Sequence, residues 1–141
     1  MTPEGLFSLC NTLVLPAWLL LIFAPRWQRV TPLVATWVVP VALGLVYLGI
    51  MATQLGTAEG GFQSLAGVGS LFSNPWVLLA GWVHYLAFDL FVGAWEVRDS
   101  ARTGVPHLWV VPCLALTFML GPVGLVAYFA LRVGWKRQLA V

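Results

Sequence analysis

Trp76-Val77-Leu78-Leu79-Ala80-Gly81-Trp82-Val83-His84-Tyr85-Leu86-Ala87-Phe88-Asp89-Leu90-Phe91-Val92-Gly93-Ala94-Trp95-Glu96-Val97 is apolar along most of its length, yet it carries His84, Asp89 and Glu96. A helix crosses membrane hydrocarbon with about 20 mainly apolar residues, so this stretch is long enough to span. Three other stretches qualify, at about 6–23, 31–53 and 107–131. The reading is an all-α integral membrane protein. It is a single domain over 1–141, built as a bundle of four transmembrane helices with one longer loop between helices 2 and 3.

The composition supports that class. Of 141 residues, 60% are apolar and 9% charged. A soluble domain carries roughly 45–50% apolar and about 25% charged residues. Seven Lys and Arg, five Asp and Glu and two His are too few to solvate a globule of this size. A disordered chain and a nucleic-acid binder, which needs basic patches, are excluded on the same ground. The lipid bilayer is the first partner implied, and four short helices with much apolar surface point to a homo-oligomer or a subunit of a larger membrane complex.

The connections add detail. Gln54 to Asn74 is rich in Gly and Ser, with Glu59 as its only charge, and a re-entrant or interfacial turn is expected around Phe62–Phe72. Met1 to Gly5 holds no Lys or Arg, so the first span lacks the basic start of a signal peptide and is read as retained. With four spans, Arg26, Arg29, Arg98 and Arg102 face Arg132, Lys136 and Arg137 across the membrane. That near-balance gives the positive-inside rule little to act on, and both termini are expected to face away from the cytoplasm. Cys10 and Cys113 fall roughly 10–20 Å apart in depth from the helical rise, too far for a disulfide, and are expected to be free. Pro16, Pro40, Pro112 and Pro122 are expected to kink their helices.

Ionisable groups within hydrocarbon are costly and mark function by default. Counting from Trp76, His84 lies about 12 Å deep and Asp89 about 20 Å. No Lys or Arg shares the depth of Asp89, so the low dielectric favours its neutral acid form. Five positions turn a helix by about 140° net, which puts His84 and Asp89 on different faces, while Tyr85, Asp89 and Glu96 share one. Each has a structural alternative: an interhelical hydrogen bond for Asp89, a satisfied core ring for His84, and interfacial pairing for Glu96, Arg98, Asp99 and Arg102. Asn11, Thr36, Tyr47 and Tyr128 are neutral candidates to meet Asp89. Gly121-Pro122-Val123-Gly124 could open a notch for a flat ligand. Two His without the spacing of a di-iron site give no support for a metal centre, and no phosphate loop, dinucleotide fingerprint or nucleophile elbow is present.

Trp82-Val83-His84 followed by Asp89-Leu90-Phe91-Val92-Gly93 resembles the abscisic-acid-deficient-four-like membrane family. Gly121-Pro122-Val123-Gly124 and Asn11, Pro16 and Trp18 extend the resemblance over most of the chain. One departure is Ala94, which stands where members usually carry Arg. The resemblance implies a carotenoid-related protein, the plant member being associated with making neoxanthin from violaxanthin. Such an epoxide-to-allene isomerisation involves no net redox change and needs an acid and a base. His84 and Asp89 are the catalytic candidates. Trp82, Tyr85, Asn11, Gly121 and Pro122 are the candidates to contact the carotenoid, as substrate or bound pigment. A compact chain without a plastid-targeting extension leads to the expectation of a bacterial inner (cytoplasmic or photosynthetic) membrane. The alternative is a non-catalytic pigment-binding or assembly subunit of a photosynthetic or carotenoid-synthesis complex, with His84 as a ligand to chlorophyll-type magnesium. A transporter or channel fits less well, because few polar residues lie at depth.

Overall fold

The computed structural model describes residues 1–27, 29–54 and 56–136, with Lys136 by its backbone alone. All regular structure among them is helical. Helix α1, Pro3–Phe23, starts where Thr2 accepts the Gly5 N–H at 3.2 Å, with a proline in the first turn and Glu4 facing the positive helix end. It stops before Pro25. Helix α2, Val30–Gln54, returns alongside it. Pro40 cannot donate to the carbonyl four residues back, and the turns before it, Leu33–Val38, widen to a π-helix in which the Val39 N–H reaches Val34.

The expected turn in the long connection is a short helix, α3, Leu65–Phe72, capped by Ser64. The loop folds onto it through a 3.2 Å bond from the Gly61 N–H to the Gly67 carbonyl. Asn74 closes the excursion. Its amide donates to Gln54 at 3.1 Å, and its side-chain oxygen caps the Trp76 N–H at 2.9 Å, starting helix α4, Pro75–Thr103. Phe72 lies on Gly81 of α4, where a side chain would meet the ring.

At about 1.5 Å per residue α4 is roughly 43 Å long, so it outruns the hydrocarbon and places Asp89 at its midpoint. Gly104, at φ 74°, ends it. The helix packs along α2 and against α1, and Trp18 of α1 rests on Gly93. Leu21, Leu43, Val83, Leu90, Val110 and Leu114 fill the core between these elements. Large apolar side chains such as Trp37, Leu45, Leu48, Phe88 and Leu108 remain exposed on the outside. A soluble protein rarely shows such a surface. With three helices long and apolar enough to cross, the chain is a membrane-associated helical protein.

The stretch 107–131 differs from the single span expected there. Helix α5, His107–Leu120, runs back along α4 and ends at Gly121. Gly121 has φ 50° and ψ −101°, a conformation that a side chain would strain. Helix α6, Pro122–Lys136, then folds back against α5 so closely that a Cβ on Gly124 would collide with Thr117. Neither helix exceeds about 22 Å, too short to cross hydrocarbon of about 30 Å. Together they form a hairpin with its tip beside Asp89 and both ends at the C-terminal end of α4. The four-span reading took Gly121-Pro122 for a kink; it is a reversal. The two termini of the described chain therefore lie at opposite ends of the bundle, not at one.

That reversal also gathers the charge. His107 Nε2 meets the Ile22 carbonyl at 2.9 Å, and Arg98 donates to Thr36 at 2.7 Å. These contacts place the end of α1, the start of α2 and the end of α4 together. Arg26, Arg29, Arg98, Arg102 and Arg132 all lie toward this end, as does the backbone of Lys136. Arg137 lies outside the described residues. Glu4 and Glu59 lie at the other end.

Candidate functional site

Helix α4 presents its ionisable residues to two different neighbours. Tyr85, Asp89, Glu96 and Asp99 face the α5–α6 hairpin, in line with the shared face expected for the first three. His84 points elsewhere. It is exposed, stacks on Phe88 with ring centres 4.4 Å apart, and meets the edge of Tyr47 of α2 at 6.0 Å. The two catalytic candidates, His84 and Asp89, are thus not brought together, as their 140° separation foretold.

The carboxylate of Asp89 occupies the space left by the hairpin turn. Its oxygens lie 3.0 and 3.2 Å from where a Cβ of Gly121 would stand. The Gly121-Pro122 notch exists, but Asp89 fills it in place of a ligand. Asp89 Oδ2 is buried and makes no hydrogen bond of standard geometry. Tyr85, one turn earlier, interacts with this carboxylate and donates to the Phe118 carbonyl at 3.4 Å. The helical partner of Phe118 would be residue 122, a proline without an N–H, so the phenol supplies a donor that the helix lacks.

Two further groups were read as interfacial and are buried instead. Glu96 is 0% exposed and accepts the Thr117 hydroxyl at 2.9 Å, leaving Oε2 unpartnered. Asp99 is 5% exposed, accepts the Tyr128 hydroxyl at 2.7 Å and pairs with Arg132 at 2.8 Å. Arg102, by contrast, is 76% exposed and 4.0 Å from Asp99. Arg98 reaches Thr36 and lies over Phe91. The signal for the burial was present in the sequence. Asp89, Glu96 and Asp99 are spaced by seven and three, which keeps them on one helix face.

On the α1 side, α4 forms an open groove. Trp82 donates its indole N–H to Asn11 at 3.2 Å, and Asn11 donates to the Phe7 carbonyl at 2.8 Å. Phe7 and Tyr85 flank the Trp82 ring with centres 5.6 and 5.3 Å away. Two cavities share Trp82: one of about 380 Å³ runs past Phe7 and Leu78, and one of about 280 Å³ runs past Asn11, Tyr85 and Phe118. The inner cavity reaches Tyr85, Leu86 and Met119, and Asp89, one turn beyond Tyr85, does not line it. Trp82, Tyr85 and Asn11, three of the candidate ligand contacts, therefore come together. Phe7 and Phe118 join them from positions that composition gave no reason to single out. Cys10 and Cys113 are free and buried away from the groove walls.

The family model described as ABA DEFICIENT 4-like matches residues 5–128, from the first turns of α1 to the middle of α6. Among curated proteins, the chain is similar to Protein ABA DEFICIENT 4, chloroplastic, of Arabidopsis thaliana, with 27% identity over 137 residues. The alignment covers 92% of this chain and 61% of that protein, so the chain spans about three-fifths of its relative's length. No solved structure matches. The groove walls apart from Pro3 and Glu4, the hairpin turn and the buried face of α4 fall inside the matched residues, and on that coverage the chain belongs to the ABA DEFICIENT 4-like family.

Proposed function

We propose that this protein binds a carotenoid-type polyene in the α1–α4 groove and isomerises an epoxide-bearing end group to an allenic alcohol. Family membership supports the carotenoid-related role. The observation that carries the reading is the run of aromatic rings along the groove, from Phe7 through Trp82 to Tyr85, with Asp89 one helical turn beyond Tyr85 and outside the lining of both cavities. Aromatic rings and open lipid access suit a long, flat, apolar molecule.

The chemistry requires one carboxyl group. Protonated Asp89 gives its proton to the epoxide oxygen as that C–O bond breaks. Its second oxygen takes a proton from the adjacent polyene carbon as the C–H pair becomes the allene bond. The proton count closes without an oxidant, a reductant or a second base, so His84 is not needed at the reacting centre. Tyr85 holds the carboxyl and the hairpin tip in register.

The test is production of the protein in a bacterium supplied with an epoxy-carotenoid, followed by chromatography of the extracted pigments. An allenic product that disappears with Asp89→Asn and survives His84→Gln supports the isomerase. Unaltered pigment that copurifies with the unsubstituted protein and with both variants overturns the isomerase and supports a non-catalytic pigment-binding subunit. The exposed, ring-stacked His84 on the other flank of α4 favours that second reading.

A further inference from the structure

A cavity of about 490 Å³ opens at the basic end of the bundle, away from the groove. The loop after α1 lines it with Arg26 and Trp27, α4 lines it with Ser100 and Ala101, and His107 stands at the start of α5. None of the residues lining it is acidic. Arg26 and Trp27 are exposed, and among the described residues Arg26 makes no ion pair. The donors and acceptors are specific. His107 Nε2 must carry the hydrogen in its 2.9 Å bond to Ile22, because a carbonyl only accepts; Nδ1 of the neutral ring is then an acceptor. Ser100 gives its hydrogen to Val97 at 2.8 Å and likewise keeps an accepting oxygen. The lining thus brings together one guanidinium and two residues that each keep an accepting atom, beside apolar walls from Phe23, Val97 and Val105.

We propose that this cavity holds the headgroup of an anionic glycerophospholipid bearing headgroup hydroxyls. The phosphodiester lies on Arg26, a headgroup hydroxyl donates to His107 Nδ1, and the acyl chains follow the apolar walls. Guanidinium suits phosphate because its planar fork matches the paired oxygens. Trp27 sits where indoles favour the membrane–water boundary. The basic residues gathered at this end raise the local concentration of anionic lipid. The site is separate from the groove, so it stands or falls independently of the proposed isomerisation.

Native mass spectrometry and thermal melting of the full chain, in neutral-detergent micelles doped with phosphatidylglycerol, phosphatidylcholine or inorganic phosphate, test it. Phosphatidylglycerol should be retained and should raise the melting temperature, whereas the other two should not. Arg26→Gln should weaken retention about tenfold, as loss of a charge-assisted hydrogen bond implies. Ala101→Trp, which fills the cavity and keeps the charge, should do the same and decides the matter if Arg26→Gln fails to fold. Arg102→Gln, at the same end but outside the cavity lining, should retain the lipid. Equal retention of phosphatidylcholine overturns the proposal, as does equal stabilisation by inorganic phosphate. An equal loss with Arg102→Gln would show a diffuse basic surface and also overturn it.

Discussion

The two faces of α4 are built in opposite ways. Toward the hairpin, Glu96 and Asp99 are sealed from solvent and held by Thr117, Tyr128 and Arg132. Toward α1, Trp82 and its ring neighbours line a space that stays open. A buried charge in a low-dielectric setting is tolerable only with partners at bonding distance, so the first face dictates where α5 and α6 must lie. Rings need no such partner, and the second face can leave room for a ligand. Asp89 sits where the two meet, next to the hairpin turn and one turn beyond Tyr85.

If the sealed face holds the hairpin, the largest effect is topological and all-or-none. In a background of Cys10→Ser and Cys113→Ser, a membrane-impermeant maleimide should label Trp135→Cys from the same side as Arg29→Cys. It should label Glu59→Cys from the other side. Labelling of Trp135→Cys together with Glu59→Cys would mean a straight fourth span, and the sealed face would lose its meaning.

Removing one partner of the buried pair comes next. Asp99→Ala should cost about 3–5 kcal/mol in detergent unfolding, because it removes both the ion pair to Arg132 and the acceptor of the Tyr128 hydroxyl from the sealed face. The double variant Asp99→Ala/Arg132→Leu should recover part of that loss. Gly124→Ala should cost about 1–3 kcal/mol by wedging Thr117 away, while Gly134→Ala, with open space around it, should stay within about 0.5 kcal/mol. The groove should respond least in stability. Trp82→Phe removes one exposed hydrogen bond to Asn11 and should shift unfolding by less than about 1 kcal/mol, yet lower carotenoid retention on the purified protein.

Much of the site was legible residue by residue. The depth of Asp89, its shared face with Tyr85 and Glu96, and its divergence from His84 follow from helical geometry alone. Asn11, Trp82 and Tyr85 are joined in the structure as they were grouped in the sequence. Burial of Glu96 and Asp99 was missed because they lie near the predicted end of a span, where water offers an easy partner. The helix continues to Thr103, and the hairpin covers both residues.

Sequence alone determined the membrane class, because so few charges cannot solvate so much apolar surface. It also determined which positions of α4 carry an energetic demand. Only the tertiary structure decided how that demand is met. Gly121-Pro122 is locally compatible with a kink and with a reversal, since glycine admits both backbone geometries and proline can open a new helix in either case. The choice rests on Thr117, Tyr128 and Arg132 reaching the carboxylates of α4, contacts between residues 21 to 33 positions apart that no local pattern encodes.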